Sequence, residues 1–280
     1  MPQKPLRLNT QMNSDGVARR SIVIGAAWTT PVIALASAVP SAAASGNCST
    51  GTFTTQFTTG QGTGNPIVLQ ATSPDTAEVY TVRITSALDA GTIDTQNGMS
   101  FNMSQTASGW NGGAANDGSQ DYVFTNFGPT DALVLSQRKS GTTAPSGTSV
   151  DGQQLTFEFF DSAGATVTPT DVQFDIFDIS SGDSSPAWRA TYWDAVGFSV
   201  PPTSIIPTPG SDQGTGAGTI GSPFARSVGT LSTGATAWND RFIFAAFPSG
   251  SSLRYTQLGG RQGWHFISIS GLRFDAQVAC

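Results

Sequence analysis

The sequence has little of what most catalytic sites are built from. Its 280 residues include one histidine, two cysteines and two glutamates, and only 11% of them are charged. His265 falls within a predicted strand, no Gly-x-Ser-x-Gly elbow accompanies it, and no zinc-type His/Cys spacing exists. A glycosidase needs two facing carboxylates, and the aspartates leave that option open. These absences favour a non-enzymatic protein, with a secreted glycoside hydrolase as an alternative.

Basic residues are also scarce, which bears on partners. The net charge is −6, and removing the four basic residues and one acidic residue of the first 44 from totals of 13 and 19 leaves 9 basic and 18 acidic. Phosphate backbones and anionic lipid surfaces attract basic proteins, so we expect no nucleic-acid partner and no adhesion to anionic lipid. The motif Gly214-x-Gly216-x-Gly218 opens no helix and predicts a loop rather than a phosphate site.

The first 44 residues predict an export signal rather than part of the fold. Arg19 and Arg20 precede an apolar run, Ile22 to Leu35, and a small-residue zone ends at Ala44. This order is that of a secretory signal peptide, cleaved after Ala44. The paired arginines resemble a twin-arginine signal, although the usual lysine is absent, so general secretion stays open. The run is too short to span a membrane, and we expect no span after cleavage.

The two cysteines stand near the two ends of the predicted mature chain, residues 45–280. In an exported protein, Cys48 and Cys280 predict one disulfide. Such a bond requires the two ends to lie close together, as when the first and last strands are neighbours in one sheet. This arrangement favours a single domain over two domains in tandem.

The mature region carries strand patterns and no helical periodicity. In Glu78–Thr85, Tyr80, Val82 and Ile84 are expected to face inward, and Leu155–Phe160 alternates in the same way. The densest signal is Val172–Val200, which predicts two core strands joined as a hairpin by an acidic turn. Roughly a dozen short strands separated by turn signals predict an all-β fold: an antiparallel two-sheet sandwich, jelly-roll-like.

Aspartates around the predicted hairpin raise the hypothesis of a calcium site. Asp175 and Asp178 point to opposite faces of a strand, so they cannot share one ion within it. Asp178 and Asp194 could meet near the turn and, with Asp183, hold Ca²⁺ through oxygen ligands. The alternative is that Asp178 and Asp183 bond to backbone groups of the turn. No other cofactor is predicted.

Tryptophans supply the second hypothesis, a stacking surface for sugar. Trp188 and Trp193 sit in or near predicted loops and are the favoured candidates, followed by Trp110. The alternative is burial, because each aromatic ring removes a large apolar area from water. Exposure of Trp188 or Trp193 beside polar groups would indicate a carbohydrate-binding module.

Five segments carry a resemblance to a known group of proteins. They are Leu155–Phe159, Val172–Ile179, Trp193–Val196, Gly214–Phe224 and Ile267–Phe274. In this order they resemble secreted surface β-sandwich proteins of Gram-positive actinobacteria, whose signal peptides also look like RRS…GAAW…PVIA…A. The resemblance implies an extracellular β-sandwich, and the role of that family is unassigned. Ser180 stands where many members have a second aspartate, which weakens a metal site carried over from them.

These observations lead to one functional expectation with two alternatives. We expect a non-enzymatic secreted or cell-surface β-sandwich protein that serves adhesion or envelope structure. Its partner would be cell-wall glycan or another surface protein. The alternatives are a carbohydrate-binding module and the secreted glycoside hydrolase.

Overall fold

The protein is described by a computed structural model covering residues 48–57, 64–96, 99–100, 102–103, 132–139, 151–182, 192–208, 213–226, 238–258 and 265–278. All regular secondary structure in these ranges is β-strand. None of these residues forms a helix that could cross a bilayer. The predicted all-β class is confirmed.

The described residues form seventeen strands. They are β1 (Thr50–Thr54), β2 (Ile67–Thr72), β3 (Val79–Leu88), β4 (Thr92–Ile93), β5 (Thr95–Gln96), β6 (Met99–Ser100), β7 (Leu133–Lys139), β8 (Asp151–Phe160), β9 (Thr170–Phe177), β10 (Ser181–Gly182), β11 (Tyr192–Phe198), β12 (Ser204–Ile206), β13 (Phe224–Ala225), β14 (Asn239–Ala246), β15 (Ser251–Leu258), β16 (His265–Ile269) and β17 (Arg273–Gln277).

Fifteen of these strands belong to one large antiparallel sheet. Its main path runs β10-β11-β15-β8-β3-β2-β1-β17-β9-β16-β7-β4. Strand β14 pairs with β9 and β12, β13 pairs with β11, and β5 pairs with β6 as a separate ribbon. Because the main path is continuous, the division into two sheets and the jelly-roll connection stay predictions.

The first and last strands are neighbours, as the cysteine positions predicted. Strands β1 and β17 pair from Thr50 with Gln277 to Thr54 with Arg273. The amide of Val278 donates to the carbonyl oxygen of Ser49 at 2.8 Å, which extends this pairing toward both chain ends. Cys280 lies outside the described residues, so its bond with Cys48 stays a prediction.

The alternation predicted for individual strands is confirmed. In β3, Tyr80, Val82 and Ile84 are buried while Thr81 and Arg83 are partly exposed. In β8 the inner face consists of Leu155, Phe157 and Phe159, each fully buried. Burial of one such side chain contributes about 1.5–3 kcal/mol, so the inner faces supply the main driving force for folding.

The sheet curls over a core of phenylalanine rings. The ring of Phe174 in β9 lies 5.7 Å from that of Phe198 in β11, and 6.1 Å from that of Phe157 in β8. Neither β11 nor β8 pairs with β9, so these rings meet across the core rather than along the sheet. Edge-to-face and offset ring contacts of this kind add to the energy of burial.

The hairpin predicted for Val172–Val200 is wrong. Strand β9 pairs with β14, β16 and β17, whereas β11 pairs with β10, β13 and β15. The two strands lie on opposite sides of the core because each has a strongly apolar inner face, and these faces pack against each other. The long connection between them allows this crossing, which an acidic turn between paired strands would not.

Candidate functional site: the mouth of the curled sheet

The inner face of the sheet changes from apolar to polar at one end of its strands. Eight side chains make up this polar layer: Ser86 of β3, Gln137 of β7, Gln153 of β8, Asp194 of β11, Asp240 of β14, Gln257 of β15, and Asp178 and Arg226, which directly follow β9 and β13. They lie at C-terminal ends of some strands and N-terminal ends of others. Because neighbouring strands are antiparallel, all these ends lie on the same side of the molecule.

The register of the strands confirms this common level. Gln153 pairs with Leu88 of β3 and with Tyr255 of β15, and Gln257 pairs with Asp194 of β11. Each polar position continues the alternation of an apolar inner face. In β8, for example, Gln153 precedes Leu155 by two residues and is itself fully buried. The polar layer therefore covers the end of the hydrophobic core.

An ion pair at one side of the polar layer is completely buried. The guanidinium of Arg226 donates to both carboxylate oxygens of Asp240, at 2.7 and 2.5 Å, and both side chains have zero exposure. The same guanidinium donates to the carbonyl oxygen of Ile179 at 2.7 Å and lies 4.9 Å from the ring centre of Trp238. Burial raises the pKa of the Asp240 carboxyl, and the hydrogen bonds from Arg226 act against that rise.

A second buried carboxylate is held by a tyrosine. The hydroxyl of Tyr255 donates to Oδ1 of Asp194 at 2.7 Å, and the tyrosine is fully buried. Burial raises the pKa of Tyr255 well above its usual value, and the charges of Asp194 and Asp178 act in the same direction. The phenol therefore keeps its proton and serves as a permanent donor to Asp194.

Three glutamines in the polar layer have amide atoms with no hydrogen-bond partner among the described residues. Both amide atoms of Gln137 and of Gln257 are in this state, as is Oε1 of Gln153. All three side chains have at most 1% exposure. Leaving a buried polar group unsatisfied costs about 1–3 kcal/mol. The polar layer therefore holds several amide atoms without a hydrogen-bond partner among the described residues.

A cleft of about 400 Å³ opens near Gln153. It is lined by Gly64, Asn65, Ser86, Leu88, Asp94, Asn102 and Met103. We call it the mouth cleft. Gln153 lies beneath it, because its Nε2 donates to Oγ of Ser86 at 2.7 Å and to Oδ1 of Asn102 at 3.1 Å.

The mouth cleft lies at the C-terminal end of β3, which contributes Ser86 and Leu88. Asp94 directly follows β4, whose Ile93 pairs with Arg138 of β7 and whose Thr92 hydroxyl bonds to the backbone of Gly152 in β8. The side chain of Asn65 bonds to the backbone of Ser86: its Oδ1 accepts from the Ser86 amide at 2.8 Å, and its Nδ2 donates to the Ser86 carbonyl oxygen at 2.7 Å.

The predicted calcium ligands are brought together only in part. The charges of Asp178 and Asp194 both raise the pKa of Tyr255, and the backbone amide of Asp194 donates to the carbonyl oxygen of Ser180 at 2.9 Å. They meet through the pairing of β10 with β11, not through a β9–β11 hairpin. Asp183 lies outside the described residues, which contain no cluster of three potential metal ligands. Calcium stays a hypothesis: a melting temperature unchanged by added calcium would contradict it.

Of the three predicted sugar-stacking residues, Trp193 lies within the described part of the chain. Trp193 pairs with Ser181 and Leu258 and is half-buried on the outer face of the sheet, opposite in direction to Asp194. Trp188 and Trp110 lie outside the described residues. Trp238, which the tryptophan hypothesis did not favour, packs its ring against Arg226.

The glutamines of the polar layer were missed by sequence reasoning, although a signal for them existed. Gln137 follows the buried Leu133 and Leu135 at the same spacing of two, and Gln257 follows Leu253 and Tyr255. A polar residue that continues an apolar alternation is expected to face inward. Applied to every strand end, this rule would have found them.

The glycine motif has a structural role. Gly216 has a φ of 97°, and a Cβ at this position would lie 1.9 Å from the carbonyl oxygen of Pro223. Nearby, Thr215 and Ala225 exchange backbone hydrogen bonds at 2.8 and 3.0 Å. Glycine is required here by backbone conformation and close approach, as the predicted loop implies.

Comparison with family models and with curated proteins returned no match. Among solved structures, the chain is similar to the adhesin domain of PrgB from Enterococcus faecalis bound to DNA, at 11% identity and a TM-score of 0.40. The similarity covers 73% of this chain and 66% of that chain, so it spans less than two thirds of that chain's length. At this level it carries no argument about fold or function.

Proposed function

We propose that this is a non-enzymatic protein of the extracellular side, secreted or held at the cell surface, which serves adhesion or envelope structure. Residues 1–44 act as the cleaved export signal, and residues 45–280 form one domain in which the curled sheet encloses its core as a two-layer, jelly-roll-like sandwich. The partner is cell-wall glycan or another surface protein, and not nucleic acid.

One observation carries this proposal: the polar layer offers neutral hydrogen-bonding groups, while two of its three carboxylates are held by structural partners. Asp240 is bound by Arg226, and Asp194 accepts from Tyr255. On other strands, Glu158 pairs with Arg83 and Asp175 with Arg241. A glycosidase needs one carboxyl free to donate a proton and a second facing it across the scissile bond. The arrangement supports binding rather than hydrolysis.

The carbohydrate-binding module stays the second candidate, favoured by the partial exposure of Trp193 on the outer face of the sheet. The two candidates share one test. The mature protein is mixed with purified Gram-positive cell walls, and sedimentation and the release of reducing sugar are both measured. We expect the protein to sediment with the walls and to release no sugar. Sugar release would revive the hydrolase, and a protein that stays in the supernatant would remove wall adhesion.

A further inference from the structure

The lining of the mouth cleft contains one charged group, the carboxylate of Asp94. Asp94 is partly exposed and makes no ion pair or hydrogen bond with the described residues. The arginines whose side chains the structure describes are each paired with a carboxylate elsewhere: Arg83, Arg226, Arg241, Arg254 and Arg273. None of them neutralises Asp94, so this carboxylate attracts a cation that enters the cleft.

The other polar groups of the lining add oxygen acceptors to the carboxylate. Nε2 of Gln153 donates to Oγ of Ser86 at 2.7 Å and to Oδ1 of Asn102 at 3.1 Å, and both accepting residues line the cleft. Nδ2 of Asn65 donates to the carbonyl oxygen of Ser86, so it also serves the protein itself. A hydroxyl or amide oxygen that accepts one hydrogen bond keeps a second lone pair. An ammonium group, with three donors and no acceptor, matches such a lining.

The remaining lining is apolar and fits the stem of an alkylammonium group. It consists of Leu88, at 36% exposure, and the buried Met103. Lysine side chains lay their methylene stems on apolar surface while the charged head stays in polar surroundings. An amino sugar carries its amine on a hydroxyl-rich ring and has no such stem. The cleft volume of about 400 Å³ lies within the usual range for small-ligand sites, roughly 300–1,000 Å³.

We propose that the mouth cleft binds a primary alkylammonium group, the side chain of a lysine exposed on a surface-protein partner, with Asp94 as the counter-charge. This inference rests on the proposed function, and it selects a protein rather than a glycan as the partner. The predicted mature chain has 18 acidic and 9 basic residues, and this excess of negative charge favours encounter with a basic partner.

The test starts with an NMR titration of the ¹⁵N-labelled mature protein with Nα-acetyl-lysine amide. Nα-acetyl-norleucine amide, which has the same stem without the ammonium, glucosamine and calcium chloride are titrated in parallel. We expect the lysine derivative to shift the amide signals of residues around Ser86 and Asp94, and to bind more weakly as salt is added, because salt screens the charges. Equal binding of the norleucine derivative, tighter binding of glucosamine or calcium, or no binding of the lysine derivative would overturn the proposal.

A matched pair of variants tests the role of the carboxylate. In Asp94→Asn, affinity for the lysine derivative should fall about ten- to a hundredfold, as expected when a hydrogen bond to a charged group is lost. Its melting temperature should change by no more than about 2 °C, because Asp94 has no described partner to lose. Asp75→Asn makes the same change at an exposed position between β2 and β3, at the other end of these strands, and should bind as the wild type does. Equal losses in both variants would overturn the assignment of the site.

A third variant tests the cleft itself, independently of charge. A Cβ added at Gly64, which lines the cleft, would meet only the carbonyl oxygen of Pro66, at an ordinary 3.6 Å. Gly64→Phe should therefore fold, and its ring should weaken binding of the lysine derivative. Unchanged affinity in both Gly64→Phe and Asp94→Asn would overturn the site. If the lysine derivative does not bind but the protein still sediments with cell walls, the site falls and the proposed function stands. Failure in both assays would remove both.

Discussion

The buried ion pair between Arg226 and Asp240 allows a sharp prediction about stability. Replacing Asp240 by asparagine removes the carboxylate that accepts hydrogen bonds from Nη1 and Nη2 of Arg226, at 2.7 and 2.5 Å. Neither side chain is exposed to solvent. Breaking a buried pair in this way costs about 3–5 kcal/mol. Total stabilities of domains are about 5–15 kcal/mol, so Asp240→Asn should lose a large fraction of the whole.

The measurement is urea unfolding of the mature protein at neutral pH, with the free energy extrapolated to water. The matched control is Glu158→Gln, which breaks an ion pair of similar fork geometry: Nε and Nη2 of Arg83 lie 2.7 and 2.9 Å from the two Glu158 oxygens. Those side chains are 42% and 29% exposed, so the pair is screened by water. Exposed pairs contribute about 0–1 kcal/mol, and the control should lose no more than that.

A double variant tests the reason for the effect. In Arg226→Met with Asp240→Leu both charges are absent, and methionine can keep the packing against Trp238. Because apolar replacement of a whole buried pair is often neutral, the double variant should lose less stability than Asp240→Asn alone. The reasoning is refuted if Asp240→Asn loses about 1 kcal/mol or less, or if the double variant is the less stable of the two.

Two further predictions concern the chain ends and the loss of stability at low pH. If Cys48 and Cys280 are bonded, the oxidised mature protein should be about 2 Da lighter than its reduced form. Reduction should then lower the free energy of unfolding by about 2–5 kcal/mol, whereas equal masses would contradict the disulfide. The hydrogen bond from Arg83 lowers the pKa of Glu158 below its ordinary value of 4.5. This carboxylate therefore contributes stability above about pH 4.5 that is lost as the pH falls through its folded pKa, and Glu158→Gln should show a smaller acid-induced loss than the wild type.

Alternation along single strands was predictable because it depends only on neighbouring residues. Tyr80, Val82 and Ile84 face inward as their spacing implies, and the same holds for Leu155, Phe157 and Phe159. A strand with one strongly apolar face can bury that face in only one way, so local sequence is sufficient.

The candidate site was harder to predict, because its groups come from strands far apart in sequence. Asp178 and Asp194 looked like partners through a hairpin, but they approach through β10, a strand of two residues with no clear pattern. Ser86 and Gln153 are 67 residues apart, and their hydrogen bond depends on the pairing of β3 with β8. No local pattern encodes such a contact.

The amino-acid sequence by itself determined the all-β class and the inner faces of the strands, because period-two alternation is a local property of an extended chain. It also placed the first and last strands side by side, provided that the cysteines pair. Only the tertiary structure decided which strands are neighbours, because the inner faces of β9 and β11 are equally suited to pairing and to stacking across the core. The position of Gln257 beside Asp194 follows from that choice. The mouth of the sheet is therefore a product of strand order rather than of any motif.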